Sequence, residues 1–498
     1  MTPTDPLPQT ATLGARVFRN TAAILSGRGL AILFSTGAAV LLVRYLGSEK
    51  LGQFGAVYAY LALYNWIASF GFEAVLTREV SREREKAGSL IHTAVVLSSI
   101  LSLVTIAVAV VLAPLAGFTG FLRTLLVLAA LEFVLTPLRL PAIIFQVDLR
   151  QWYAASINVI RQGLWLAIVV LLWLVKAPLV YVILGRVFCA VVESLLMWVY
   201  GRRFFAPQQK FLRERARMLL GHSFPIAFTM LLGTIYLRID QVMLHKMTSD
   251  SVLGQYVAAV KVSELFELLP TALMSSLVPL LSVAIAQPAQ FRSYIDRSFR
   301  YFMVLAAGLC VFMTAGAQPI IRLLFGRQFL PAAPMLAILI WSEIAVFFAS
   351  VVVNALIASN LQNLLPLPTV VGAAINVALN LVLIPRYSAV GAAWATLISY
   401  TFTWMVFLLF LRTTRALIWQ GLRFAIPITA VALFAIEATV FLPVPGFFRV
   451  FAALALFIGG IWITRMIQSS DLQYALAALE QSLSRNSKDD RSAKPTGL

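Results

Sequence analysis

Long, nearly uninterrupted apolar runs constrain this chain more than any other feature. A membrane crossing by a helix needs about 20 predominantly apolar residues, and about fourteen stretches satisfy that rule. They fall near 21–43, 51–72, 90–117, 124–146, 153–175, 179–200, 223–245, 254–283, 300–324, 334–358, 367–384, 391–411, 424–442 and 448–467. The run 254–283 is the least regular, because it is long and carries Lys261, Glu264 and Glu267. Composition agrees with lipid exposure. Residues are 60% hydrophobic and 12% charged, about half the charge of a soluble domain, and the mean hydropathy is +0.88. So few charges cannot cover a water-facing surface around so much apolar mass.

The net charge of +18 would suggest nucleic acid in a soluble protein. Here the bases sort by side, as Lys and Arg do in membrane proteins. With both termini placed in the cytoplasm, about 24 of them fall on the inside and about 9 on the outside. Arg202, Arg203, Lys210, Arg213, Arg215 and Arg217 crowd one internal connection, 201–222, which reads as a cytoplasmic linker. A nucleic-acid partner is not expected. Cys189 and Cys310 lie inside apolar runs and suggest neither a disulfide nor a zinc site. His92, His222 and His245 match no metal-ligand spacing, so neither metal nor cofactor is expected. No Walker-type G-x-x-x-x-G-K-[ST], H-E-x-x-H or G-x-S-x-G occurs. The outside connections are short, which disfavours a membrane glycan-assembly enzyme with a catalytic loop.

The halves of the chain repeat. Leu51-Gly52-Gln53-Phe54 with Ala56 recurs as Leu253-Gly254-Gln255-Tyr256 with Ala258, at an offset of 202 residues. Each tetrapeptide opens an even-numbered run on the expected outer side. An even number of crossings per half makes the halves parallel, as in some secondary transporters. The expected fold is all-α: a polytopic membrane protein of about 14 transmembrane helices, in two pseudo-symmetric six-helix bundles plus two C-terminal helices. The boundaries follow as 1–20 (N-terminal tail), 21–200 (first bundle), 201–222 (basic linker), 223–411 (second bundle), 412–468 (two extra helices) and 469–498 (a tail, amphipathic at first and then polar).

Short pieces in order over 20–410 resemble one family. They are Arg44-Tyr45-Leu46-Gly47 running into LGQFGAVYAY, Gly71-Phe72, Thr77-Arg78-Glu79, Tyr236-Leu237-Arg238-Ile239-Asp240 and LGQYVAAVKVSELFELLP. Val278-Pro279, Leu324-Phe325-Gly326, Asn376, Asn380 and Pro385 before VGAAWATLISY complete the set. The chain resembles the polysaccharide transporter family of Wzx-type oligosaccharide flippases, within the multidrug/oligosaccharidyl-lipid/polysaccharide exporter superfamily. The resemblance implies a multi-pass protein of the bacterial inner membrane that moves polyprenyl-diphosphate-linked oligosaccharide outward by alternating access. Its partners would be that substrate, membrane lipid, H+ or Na+ as a coupling ion, and polysaccharide polymerase and export machinery. The alternatives within the superfamily are a multidrug exporter, whose cationic cargo calls for an acidic cavity, and a lipid II exporter.

About thirteen ionisable residues fall inside runs, where a central Arg, Lys or Asp costs about 2.5–3.5 kcal/mol. They must pair, snorkel or line a wet cavity. Lys261, Glu264 and Glu267 share a helix face at spacings of three. They read either as a proton relay or as a satisfied ion cluster. Glu132 with Arg139, and Arg186 with Glu193, share faces seven apart. Arg28 and Arg161 have no acid in their own runs. Arg28 is either a diphosphate contact, which the planar guanidinium suits, or a side chain snorkelling to the cytoplasmic surface. Arg161, beside Asn158 and Gln162, reads as part of a polar cavity face or as a snorkelling base. Arg238 occupies a place similar to a basic cavity position in related flippases; the competing reading is an ion pair with a neighbouring span. Asp240 reads as a proton or sodium site or as a structural partner of a base. Asn376 and Asn380, four apart, read as helix–helix glue.

Overall fold

The computed structural model describes residues 10–205, 211–440 and 446–466. Residues 1–9 of the expected N-terminal tail, 206–210 of the basic linker and the expected tail 469–498 lie outside them. Among the described residues the fold is all-α, without a strand. In chain order the helices are α1 (Thr10–Ala62), α2 (Asn65–Ser69), α3 (Phe72–Arg82), α4 (Ala87–Leu112), α5 (Gly120–Ala130), α6 (Thr136–Arg139), α7 (Ile143–Val147), α8 (Trp152–Leu174), α9 (Leu179–Gly201), α10 (Arg213–Met247) and α11 (Asp250–Ser263). There follow α12 (Leu268–Ala284), α13 (Pro288–Ala315), α14 (Ala317–Phe325), α15 (Ala333–Leu339), α16 (Ser342–Ala358), α17 (Pro366–Thr401), α18 (Arg415–Val440) and α19 (Gly446–Ile463).

Among the described residues nine helices are long and apolar enough to cross a membrane, or ten when a pair broken at 340–341 counts as one crossing. The chain is thus a multi-pass membrane protein, although the apolar runs do not appear as fourteen separate helices. The first two runs are joined as α1, which turns at Gly47 with φ 68° and ψ 178°. Glycine supplies that backbone at no steric cost. Runs eleven and twelve are joined as α17, which turns at Ser388 with φ 54°, three residues after Pro385. The irregular run 254–283 splits between α11 and α12 at its charged stretch. The last run is the shorter helix α19. A hydropathy window sees apolar length, but not the single residue at which a helix changes direction.

Two compact units form. One gathers the described residues up to Glu264 with Ile321–Leu339 and Leu364–Ser399. In it α1 packs against α8, α10 and α11, and α8 packs against α9. Amphipathic α3 buries Phe72, Leu76 and Val80 against Ile91, Ile144 and Leu219. Asn380 donates to Asn376, which donates to the Ser399 hydroxyl across the turn of α17 (2.9 and 3.1 Å); these amides hold helix to helix. The other unit gathers Leu265–Ile320, Ile340–Asn363 and the described residues from Tyr400 onward. Its α13 packs against α16, α18 and α19, around the buried rings of Phe299, Phe302, Phe347 and Phe348.

The sequence repeat is a physical contact within the first unit. A Cβ on Gly52 would fall inside the carbonyl oxygen of Asp250, and a Cβ on Gly254 inside that of Ser48. Under the 202-residue offset Gly52 maps onto Gly254 and Ser48 onto Asp250, so the two close approaches are copies of each other. Ser48 Oγ meets Ser251 Oγ at 2.8 Å between them. The reciprocity extends outward. Arg44 donates to the carbonyls of Leu323 and Leu324, while its counterpart Lys246 donates to that of Leu115 at 3.0 Å. Leu115 and Leu324 each stand two residues before a left-handed glycine, Gly117 (φ 95°) and Gly326 (φ 90°). Each repeat thus pins a turn of the other.

Candidate functional site

Beyond this contact, α1, α9, α10 and α11 draw apart around a cavity of about 460 Å³ in the first unit. Its polar lining comprises Tyr58 and Asn65, Glu132, Arg186, Thr234, Arg238, Gln241 and Lys261. Each charge reaches it for a local reason. Glu132 sits in the 3₁₀ stretch Leu131–Leu135, where α5 has ended ahead of Pro137 and Pro141. The Tyr58 hydroxyl donates to Glu132 Oε1 at 2.8 Å, and Arg186 of α9 stands 3.5 Å from the same oxygen. The Arg186 guanidinium also lies 4.0 Å over the Tyr58 ring, within the range of a cation–π contact. From α10 and α11, the lining residues Arg238 and Lys261 share Glu264 beside the lining: Arg238 Nη1 meets Oε1 at 2.7 Å and Lys261 Nζ meets Oε2 at 3.1 Å. Three bases therefore answer two acids around the cavity, and one carboxylate is shared by two cations. Lys261 remains nearly half exposed.

Ion-pair partners differ from those read at seven-residue spacing. Glu132 pairs with Arg186, whereas Glu193 accepts Arg139 (3.3 Å) and Arg161 (3.1 Å). Seven residues span about 10.5 Å along one helix, too far for direct contact. Adjacent helices lie about 8–10 Å apart, so the acid on the neighbouring helix wins. Arg161 also donates to Asn158 (3.2 Å). It does not line the cavity. Arg28 is exposed on α1, eleven residues before the first cavity-lining position, Ala39, and makes no ion pair among the described residues. Asp240 is buried behind the wall, where it accepts from the Tyr256 hydroxyl and from the Gln241 backbone N–H. Of the residues singled out in the sequence, the structure brings Arg238, Lys261 and Glu264 together. Arg186, Glu132 and Tyr58 join them without having been singled out for the site. They lie on three separate helical segments, and the only signal was that two of them are ionisable residues inside apolar runs.

A family profile described as polysaccharide biosynthesis protein matches residues 17–285, more than half the chain and the whole cavity lining. The chain belongs to the polysaccharide biosynthesis protein family. A curated relative from Haloferax volcanii, "Probable low-salt glycan biosynthesis flippase Agl15", is 25% identical over 364 residues, covering 72% of this chain and 75% of its own. Solved structures share the family member's fold. One is "Lipid II flippase MurJ, inward closed conformation", with TM-score 0.69, 14% identity, 90% of this chain and 98% of that one covered. Another is a multidrug resistance MATE family transporter of the MOP superfamily in its inward-facing conformation, with TM-score 0.60, 13% identity and 80% and 95% coverage. At these identities the likeness concerns the fold. Among the described residues no group of three or more His, Cys, Asp or Glu side chains is placed to hold a metal ion.

Proposed function

We propose that this member of the polysaccharide biosynthesis protein family is a flippase that carries polyprenyl-diphosphate-linked oligosaccharide from the inner to the outer leaflet of a bacterial inner membrane. The observation that carries the reading is the cationic excess around the cavity, with Arg186, Arg238 and Lys261 facing Glu132 and Glu264. A diphosphate entering it can take one cation from the doubly paired Glu264 without leaving that carboxylate bare. Arg238 supplies two-pronged hydrogen bonding, Lys261 a mobile point charge, and Tyr58 and Asn65 partners for sugar hydroxyls. Arg28, about 17 Å along α1 from Ala39, is a first cation on the approach. Arg161, off the lining, shares Glu193 with Arg139. An organic cation would meet repulsion in such a cavity, which disfavours a drug exporter.

Alternating access then requires the Gly52–Gly254 contact to be the closed outer end, with both termini cytoplasmic. The two six-helix repeats 21–200 and 223–411 rock about it, and the helices of 412–468 are additions to that pair. H+ or Na+ supplies the energy, and Asp240 with the Lys261–Glu264 pair is the coupling group. No bond is made or broken, so the protein is a transporter and not an enzyme; a polymerase and export machinery consume its product.

A deletion strain tests this. Surface polysaccharide should be lost and lipid-linked repeat units should accumulate in the inner leaflet. Wild-type chain should restore export, and Arg238→Ala at equal expression should not. Normal polysaccharide together with new drug sensitivity would overturn the proposal.

A further inference from the structure

The contact between the repeats is reciprocal in its glycines and in its basic side chains, but in one respect it is lopsided. At positions 43 and 48 the first repeat has Val43 and Ser48. The second has His245 and Asp250 at the matching places. His245 Nδ1 and Asp250 Oδ1 lie 2.9 Å apart, and the imidazole is only 5% exposed. Phe118 of the first repeat, itself fully buried, covers the ring with centroids 4.5 Å apart. The other ring nitrogen, Nε2, is fully buried and has no hydrogen-bond partner among the described residues. It faces Gly117, in the turn that Lys246 holds by the Leu115 carbonyl.

We propose that His245 is a proton-binding site whose occupancy opens this end of the transporter. The ligand is a proton, and the site exists in the second repeat only. This rests on reading the Gly52–Gly254 contact as the outer gate.

His245 and Asp250 belong to one turn, five residues apart, so their pair travels with the second repeat whether the gate is closed or open. What changes is the surroundings of Nε2, because Gly117 and Phe118 belong to the other repeat. With the gate closed, a neutral imidazole leaves only a lone pair unmet at Nε2. An imidazolium leaves a charged N–H with no acceptor, and an unsatisfied charged donor is the costlier of the two. When the repeats part, Nε2 reaches water. Proton binding therefore favours opening, and opening favours proton binding, by the same factor. The other charges at this end do not replace Asp250 in the role. Lys246 and Arg44 are committed to backbone carbonyls, and Glu49, Lys50, Lys176, Arg322 and Arg327 are exposed. The segment 113–120 carries no charge, and the nearest base on α5 is Arg123. Among the helices beside α10, α2 carries no titratable side chain, and α3 meets α10 near His222 and Ile226, about 30 Å away along the helix. The one titratable residue of α4, His92, lies at that same far end.

The test uses the full chain with Cys189→Ala and Cys310→Ala, carrying Ser48→Cys and Ser251→Cys across the gate. Disulfide formation reports closure. Its rate is divided by the rate in the same protein carrying His245→Gln, which removes the thiol's own pH dependence. That ratio should fall about threefold to tenfold between about pH 8 and about pH 5.5, the range in which histidine titrates; a constant ratio overturns the proton site. If His245→Gln lowers the folded yield, Asp250→Asn serves instead. It removes the charge that faces Nδ1, so the pH response of cross-linking should weaken, and an unchanged response overturns the proposal. Export under oxidising and reducing conditions separates the two readings. A cross-linked protein that still exports removes the gate itself. Blocked export with a constant ratio removes only the proton site.

Discussion

At Gly52 and Gly254, α1 and α11 approach until backbone meets backbone. Some six or seven residues further along the same two helices, at Tyr58 and Lys261, they border a cavity into whose lining long polar side chains project. One end closes because side chains are missing. The other stays apart because the side chains there are charged and answer to partners on other helices: Glu132 to Arg186 of α9, and Glu264 to Arg238 of α10. A closed end and an open one are thus made from one helix pair by changing residue size along it. The closed end depends on shape, so it should fail on adding a methyl group. The open end depends on charge, so it should tolerate changes of shape better than changes of charge.

The largest effect should come from the closed end. Gly254→Ala or Gly52→Ala forces the helices apart and should cost about 3 kcal/mol, at the upper end for overpacking, with export lost. Thermal unfolding of the purified protein measures the first and complementation the second. Gly233→Ala, with open space around its Cα on α10, is the control. It should leave both unchanged or raise stability, since alanine is the better helix former. If Gly254→Ala is equally harmless, the reciprocal contact is not what closes the protein.

Next comes the open end. Arg238→Ala should reduce export by about tenfold or more, the worth of a charge-assisted hydrogen bond. Arg238→Lys should retain more than Arg238→Ala does. Arg186→Ala frees both Glu132 and Tyr58 and should act as strongly, whereas Arg28→Ala, away from the lining, should act less. Export rates at matched expression order the three, and an Arg28→Ala defect exceeding that of Arg238→Ala would move the binding site out of the cavity. Smaller again is Arg139→Ala, which removes one of two bases on Glu193 and leaves Arg161 in place. A partial loss is expected, and it should deepen sharply in Arg139→Ala with Arg161→Ala; additive losses in the double variant would mean that the two bases do not share the carboxylate. Smallest is Ser48→Ala, which deletes one hydroxyl contact worth about 1 kcal/mol. Its readout is a slight shift in melting temperature with export intact.

Much of this could be read in the residues alone. Apolar run length determines that the chain crosses a membrane many times, because lipid accepts backbone only in helices or closed barrels. The repeated Leu-Gly-Gln marked matching places in the two halves, Lys261, Glu264 and Glu267 were visible as an expensive charge cluster, and Arg238 stood out as a separate cavity candidate. Tertiary structure alone decided three things. It joined runs into α1 and α17 through single residues, Gly47 and Ser388, whose backbone angles no hydropathy window registers. It exchanged the partners of Glu132 and Glu193, because contact across 8–10 Å between helices beats seven residues along one. It also gave the repeated glycines their meaning. A glycine in a sequence is only an absent side chain, and what fills its place — here the carbonyls of Asp250 and Ser48 — belongs to another part of the chain.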